Sequence, residues 1–250
     1  MSAFDLSGKR ALVTGANTGI GQGIALSLAA AGAHVVAAGR SSMDETLGLV
    51  SGLGGSAEAA SLDLSDPHAG AALVDRLNAE APLDILVNNA GIIRRGDAVD
   101  FSEADWDDVM DVNLKAAFLA AQAFGRAAIA AGRPGKIVNI ASMLSFQGGI
   151  RVVSYTASKH GIAGVTKLLA CEWAAKGINV NAVAPGYIST NNTETLRNDE
   201  TRFVDILKRI PAARWGEASD IGGAVVFLSS AAADYVHGAV IPVDGGWLAR

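Results

Sequence analysis

Ser142, Tyr155 and Lys159 are spaced so that a hydroxyl, a phenol and an amine can share one reaction centre. Tyr155 follows Ser142 by thirteen residues, and Lys159 lies four beyond it in Ser-Tyr155-Thr-Ala-Ser158-Lys159. If Tyr155 opens a helix, the lysine falls on the same face one turn later. An ammonium about 4 Å from a phenolate, at an effective dielectric near 20, favours the ionised phenol by about 4 kcal/mol, or roughly three pKa units. Such a tyrosine ionises closer to neutrality and can exchange a proton with a substrate oxygen. With a glycine-rich turn near the N-terminus, the trio points to nucleotide-dependent redox chemistry.

That turn, Thr14-Gly15-Ala16-Asn17-Thr18-Gly19-Ile20-Gly21, follows a strand-like run and opens a helix-like one. Glycines allow the tight bend and let backbone approach a pyrophosphate, while a helix N-terminus supplies unpaired amides and positive dipole. The Gly-Lys-Ser/Thr ending of an ATPase phosphate loop is missing, which disfavours phosphoryl transfer. After the second strand an acidic residue would hold the ribose 2′-hydroxyl of NAD. Here the chain has Gly39-Arg40, and a guanidinium pairs with a 2′-phosphate, so NADP is preferred with NAD as the alternative. The competing role for Arg40 is stacking on adenine or facing solvent. Asp63-Leu64 ends the third strand, where Asp63 suits either the adenine amino group or the cap of a helix near Pro67.

The elements that must position these residues follow from hydrophobic runs. Strands are expected at Arg10–Val13, His34–Ala38, Ser56–Ser61, Ile85–Asn88, Lys136–Ser142, Asn179–Ala184 and Val240–Val243, each apolar enough to be covered on both faces. Helices are expected at Gly19–Ala31, Pro67–Glu80, Trp106–Ala131, Tyr155–Ala175 and Asp220–Ser229. Repeated βα units imply an α/β single-domain Rossmann fold: a doubly wound seven-stranded parallel sheet, helices on both faces, ligands at the strands' C-terminal edge. The stretch from Tyr187 to Trp215 breaks this rhythm with a polar run and a charged helix, and is expected to be a substrate lid.

The 250 residues, half of them hydrophobic, suffice for one substantial core. A net charge of -5 offers no basic face for nucleic acid or an anionic membrane. A lone cysteine, Cys171, and four scattered histidines leave no intrachain disulfide and no metal-ligand pattern, as suits a reducing cytoplasm. The opening residues show no secretory signal.

The chain resembles the short-chain dehydrogenase/reductase family along its whole length. The resemblance rests on the Thr14–Gly21 turn, Asn88-Asn89-Ala90-Gly91, Asn113, Ser142, Tyr155, Lys159 and Pro185-Gly186, in matching order and spacing. It implies that Tyr155 is the general acid/base, that Ser142 bonds the substrate oxygen, and that Lys159 lowers the Tyr155 pKa and binds the nicotinamide ribose. Asn113 faces inward beside Val109, Ala116 and Ala117; the family's partner for it is a water linked to Lys159. Asn89, Ala90 and Gly91 would flank the cofactor, and Pro185, Gly186, Ile188 and Thr190 would form the nicotinamide-side loop. Family members commonly form homotetramers, and Trp247 and Arg250 sit at a terminus that would either pack on a neighbouring subunit or lie in solvent.

Longer strings are similar to family members that act on sugar acids: Ile-Ile-Arg94-Arg95, Ser145-Phe146-Gln147-Gly-Gly-Ile-Arg151, Tyr187-Ile-Ser-Thr190-Asn191-Asn192-Thr193 and the terminal Asp-Gly-Gly-Trp247-Leu-Ala-Arg250. Those members use NAD, from which Gly39-Arg40 departs. A sugar acid needs cations for its carboxylate and neutral groups for its hydroxyls, and the candidates are Arg94, Arg151, Gln147, Asn191 and Asn192. The alternatives are gluconate, a 3-oxoacyl group on a carrier protein docked near Arg126 and Arg133, and a non-catalytic nucleotide-binding scaffold.

Overall fold

Seven short segments, most rich in β-branched or small apolar residues, pair side by side in one direction. The structure is a computed structural model describing residues 2–250, with the side chains of Asn192 and Thr195 outside that description. In chain order the elements are β1 (Arg10–Thr14), α1 (Gly19–Ala30), β2 (His34–Gly39), α2 (Asp44–Gly52), β3 (Ser56–Ser61), α3 (Ala69–Glu80), β4 (Ile85–Asn88) and α4 (Glu103–Met110). A π-helical turn (Asp111–Lys115) leads into α5 (Ala116–Ala130), β5 (Gly135–Ile140), α6 (Val153–Trp173) and β6 (Ile178–Pro185). Then come α7 (Glu194–Arg197), α8 (Glu200–Arg209), α9 (Ala218–Ser229) and β7 (Val240–Val243).

The strands form one parallel sheet in the order β3-β2-β1-β4-β5-β6-β7. β1 and β4 are neighbours although far apart in sequence, so the crossovers before and after them wind over opposite faces. On one face Ile24 and Leu28 of α1 pack with Ile221 and Val225 of α9 against β1 and β2. On the other, Leu73 and Leu77 of α3, Phe124 of α5 and Leu169 and Trp173 of α6 cover Leu12, Leu86 and Ile137. This is the single doubly wound α/β domain expected from the sequence. No helix among the described residues is long and apolar enough to cross a membrane.

Four expected elements need correction. β3 is an edge strand whose residues are mostly exposed, Glu58 included, because nothing pairs beyond it. The single long helix expected at Trp106–Ala131 starts earlier, at a cap where Ser102 Oγ accepts from Asp105 N at 3.1 Å, and the π-helical turn interrupts it. β5 stops at Ile140, two residues short of Ser142, and α6 begins at Val153, half a turn ahead of Tyr155. The sequence reading also passed over α2, whose Asp-Glu-Thr start reads as loop.

A polar ladder runs through the second layer. Asn88 Nδ2 donates to Asn139 Oδ1 at 2.9 Å, and Asn139 Nδ2 donates to Thr166 Oγ1 at 2.9 Å. Thr166 in turn donates to Ile162 O within α6 at 2.7 Å. Asn139 and Thr166 are essentially inaccessible, so each of these bonds replaces one to water that burial removed. The ladder fixes α6, which carries Tyr155 and Lys159, against the ends of β4 and β5. Asn139→Leu removes one partner from the Asn88 amide, which keeps Ala117 O, and one from the Thr166 hydroxyl, which keeps Ile162 O; urea unfolding should register a loss of about 1 kcal/mol for these two bonds, and an unchanged midpoint would show that the ladder contributes nothing.

Candidate active site

The crevice over β1 and β4 opens into a cleft of about 1390 Å³. At its floor, Gly15 has φ +65°, and Gly21 lies so close to the Gly15 carbonyl oxygen that a Cβ there would collide with it. The turn is stapled to the β4 loop. Thr14 Oγ1 accepts from Asn89 N and Ala90 N at 3.0 Å each, and Asn89 Nδ2 donates to Thr14 O at 2.8 Å and Gly15 O at 3.2 Å. Thr18 precedes α1 in extended conformation and makes no side-chain cap, so the first amides of that helix stay available to an anion.

The sequence-named cofactor residues Gly15, Asn17, Thr18, Gly19, Ile20, Gly21, Arg40, Asp63, Leu64, Asn89, Ala90, Gly91, Pro185, Gly186, Ile188 and Thr190 all line this cleft. A dinucleotide fits the donor set: bare amides for a pyrophosphate, a cation beside β2, and a narrow floor that only glycine leaves open. Arg40 is exposed at the rim. Asp63 is held below the usual carboxylate range by Ser65, through its backbone N–H and then its side chain, with the nearby Arg40 charge adding to the effect. The Asp63 carboxylate therefore closes its own turn with Ser65 N at 3.0 Å rather than capping α3.

Further along the cleft stand Ser142, Tyr155 and Lys159. Ser142 Oγ accepts from Leu144 N at 3.1 Å, in the 3₁₀ turn that follows β5. Lys159 is buried; its Nζ donates to Ile140 O at 2.6 Å and sits 5.6 Å from the centroid of the Tyr155 ring. Burial holds the ammonium pKa down at about 8. For Tyr155, burial dominates and raises the phenol, while a hydrogen bond with Ser142 and the charge of Arg95 pull the other way. Nζ thus lies beside the Tyr155 ring, one turn along α6 from it, while engaged by a backbone carbonyl.

Asn113 lies in the π-helical turn, and its side chain lines no part of the cleft. Its Oδ1 accepts from Ile92 N at 2.8 Å, and its Nδ2 donates to Ile92 O at 3.0 Å and Ser158 Oγ at 3.2 Å. The side chain is thereby tied to the β4 loop and to α6 by protein hydrogen bonds. The one-residue insertion of a π turn is what aims it inward.

On the substrate side the candidates divide. Gln147 and Asn191 line the cleft, while the Asn192 side chain lies outside the described residues. Arg94 also lines it but is engaged by two carboxylates of α4, Asp105 at 3.3 Å and Asp108 at 3.1 Å. Arg151, at φ +63°, lines it as well and faces Asp97 at 3.6 Å. The sequence reading missed Arg95: it lines the cleft, makes no ion pair among the described residues, and is the cation whose charge reaches Tyr155. Its signal was the Arg94-Arg95 doublet, of which only the first was chosen. Arg202 and Arg209, from the cleft-facing side of α8, were missed as well. Trp247 belongs to this side too, packed inside its own chain under Arg209 rather than left for solvent.

This geometry defines a nucleotide-dependent oxidoreductase of the Rossmann type, and a family model described as enoyl-(acyl carrier protein) reductase matches residues 15–248. The chain belongs to the short-chain dehydrogenase/reductase family. It is 58% identical to the 2-dehydro-3-deoxy-D-gluconate 5-dehydrogenase of Escherichia coli, over 100% of this chain and 99% of that protein. A crystal structure of a proposed 2-deoxy-D-gluconate 3-dehydrogenase from Agrobacterium tumefaciens, with bound NADP, is 66% identical with a TM-score of 0.97, covering both chains fully. A proposed NAD(P)-dependent gluconate 5-dehydrogenase from Beutenbergia cavernae, also with NADP, is 51% identical with a TM-score of 0.96, again over both full chains.

The buried lysine makes stability depend on pH. Its folded-state pKa near 8 lies below the ordinary 10.5, so between these values the unfolded chain keeps a proton that the folded chain has released. Stability from this group therefore rises with pH across that window. Chemical denaturation without nucleotide should show the native chain gaining on Lys159→Met between the two values, by an amount on the order of a few kcal/mol; parallel curves would mean that the ammonium is not desolvated.

Proposed function

We propose that the protein interconverts a secondary hydroxyl and a ketone on a sugar acid of the deoxygluconate class, using a nicotinamide dinucleotide. The observation that carries this reading is the convergence of Ser142, Tyr155 and Lys159 in the glycine-floored cleft, which Arg95, unpaired among the described residues, also lines. The names and the bound NADP of the relatives support it.

When bound, the nicotinamide supplies the hydride acceptor or donor at the substrate carbon. In the oxidising direction Tyr155, as phenolate, takes the hydroxyl proton while Ser142 Oγ hydrogen-bonds the same oxygen and stabilises its developing charge. In reduction the phenol returns that proton. Arg95 faces the carboxylate, and Lys159 offers a cation to the ionised tyrosine and a donor to the nicotinamide ribose. NADP(H) is the preferred cofactor on the strength of Arg40, with NAD(H) the alternative. The segment around 187–215 acts as the lid. The protein works as a cytoplasmic homotetramer in this reading, without nucleic acid or membrane partners.

A panel of deoxygluconate, ketodeoxygluconate and gluconate with each oxidised and reduced dinucleotide is the direct test; no change in nicotinamide absorbance with any of them would sink the reading. Tyr155→Phe should keep nucleotide binding and lower kcat by about 10²–10⁴, and an unimpaired variant would remove the role given to the phenol. Arg40→Asp should weaken NADP(H) by at least about tenfold relative to NAD(H), since one bonded guanidinium becomes a repelling carboxylate. Equal losses with both dinucleotides would assign Arg40 to adenine or to solvent instead.

A further inference from the structure

Trp247 is buried near the end of the chain, and an indole N–H can donate but not accept. It finds Gln147 Oε1 at 3.3 Å. The contrast is Trp215, whose Nε1 is also buried and meets no partner among the described residues. Because the indole only donates, it selects the oxygen of the Gln147 amide and leaves the NH₂ group for the cleft that Gln147 lines. The ring has little freedom to release it. The Arg209 guanidinium lies 4.0 Å from its centroid, Tyr187 meets it edge-on at 4.9 Å, and Met143 and Ile210 close the remaining sides. Asp244 shapes the turn that delivers it, accepting from Gly246 N and Leu248 N at 2.9 Å each.

We propose that Trp247 is a positioning residue that holds Gln147 as a donor toward the substrate, which makes the C-terminal turn part of the specificity site. An amide with its oxygen already engaged complements an oxygen that only accepts, and a sugar-acid carboxylate is such a group. The substrate half of this proposal rests on the sugar-acid reading; the indole–amide bond does not.

Indole ¹⁵N NMR of the full chain tests the bond, with the Trp247 resonance assigned by its absence in Trp247→Phe. In Gln147→Ala that resonance should shift upfield, and an unmoved resonance overturns the proposal. Kinetics test the consequence. Trp247→Phe keeps an aromatic ring but loses the donor, and should raise the sugar-acid KM about fivefold with kcat and the nucleotide KM little changed, the effect of one net hydrogen bond. Gln147→Glu, which retains an acceptor for the indole but replaces the donors with charge, should lose more than Gln147→Ala. Adding Trp247→Phe to Gln147→Ala should have no further effect; additive losses would show that Trp247 acts by packing alone and overturn the proposal. A parent enzyme inactive on every sugar acid would remove the functional reading instead, with the indole resonance still deciding the bond.

Discussion

The crevice exists because β1 and β4 pair in parallel while their connections leave over opposite faces of the sheet. Parallel strands all end at the same edge, so backbone groups there have lost their strand partners just where no helix covers them. Thr14 meets that deficit by bonding Asn89 and Ala90 across the gap. The glycine turn, the β4 loop and the end of β5 are thus held at one edge before any ligand arrives. Every other feature of the site is attached to that edge: Ser142 follows β5, α6 brings Tyr155 and Lys159, and Pro185 ends β6.

Electrostatics within the cleft are set more by burial than by pairing. The Lys159 ammonium is desolvated, and the tyrosine beside it is raised for the same reason. The two effects share a remedy, since ionising the phenol beside a protonated lysine would relieve both at once. Arg95 and the Ser142 hydroxyl already act in that direction on Tyr155. Arg94, one residue earlier, cannot do so equally because Asp105 and Asp108 compete for its charge.

What the sequence revealed and what it hid divide along physical lines. The sheet was legible because runs such as Ala11-Leu-Val and Ile85-Leu-Val have no other way to be buried, and the glycine turn because its positive φ values exclude larger residues. The π-helical turn at Asn113 was not, since its residues fit an ordinary helix and the partners of Asn113, Ile92 and Ser158, come from distant parts of the chain. Helix α2 was lost because its apolar face is short, Thr46 and Val50 being its buried residues. The pairing of Arg94 was invisible for another reason: it depends on how α4 sits beside the β4 loop, which no local pattern encodes. The same holds for Trp247, whose partners Gln147, Tyr187 and Arg209 come from the turn after β5, the loop after β6 and the end of α8.

The segment proposed as a lid is only marginally packed. Helix α8 is amphipathic in sequence yet contains no buried residue, so little apolar area holds it down. Its attachments are few and mostly aromatic: Phe203 stacks on Trp215 at 5.7 Å, Arg209 covers Trp247, and Arg250 donates to Lys208 O at 3.1 Å. Contacts of this kind can be broken and remade with little rearrangement of the core, which is what the proposed lid would require. A deeply packed helix would need to expose its apolar face at every opening. Arg202 and Arg209 then have a second consequence, because they line the cleft from this weakly packed helix. An anionic substrate below them would add attraction to a weakly held helix, and that is a differential interaction capable of favouring the closed arrangement.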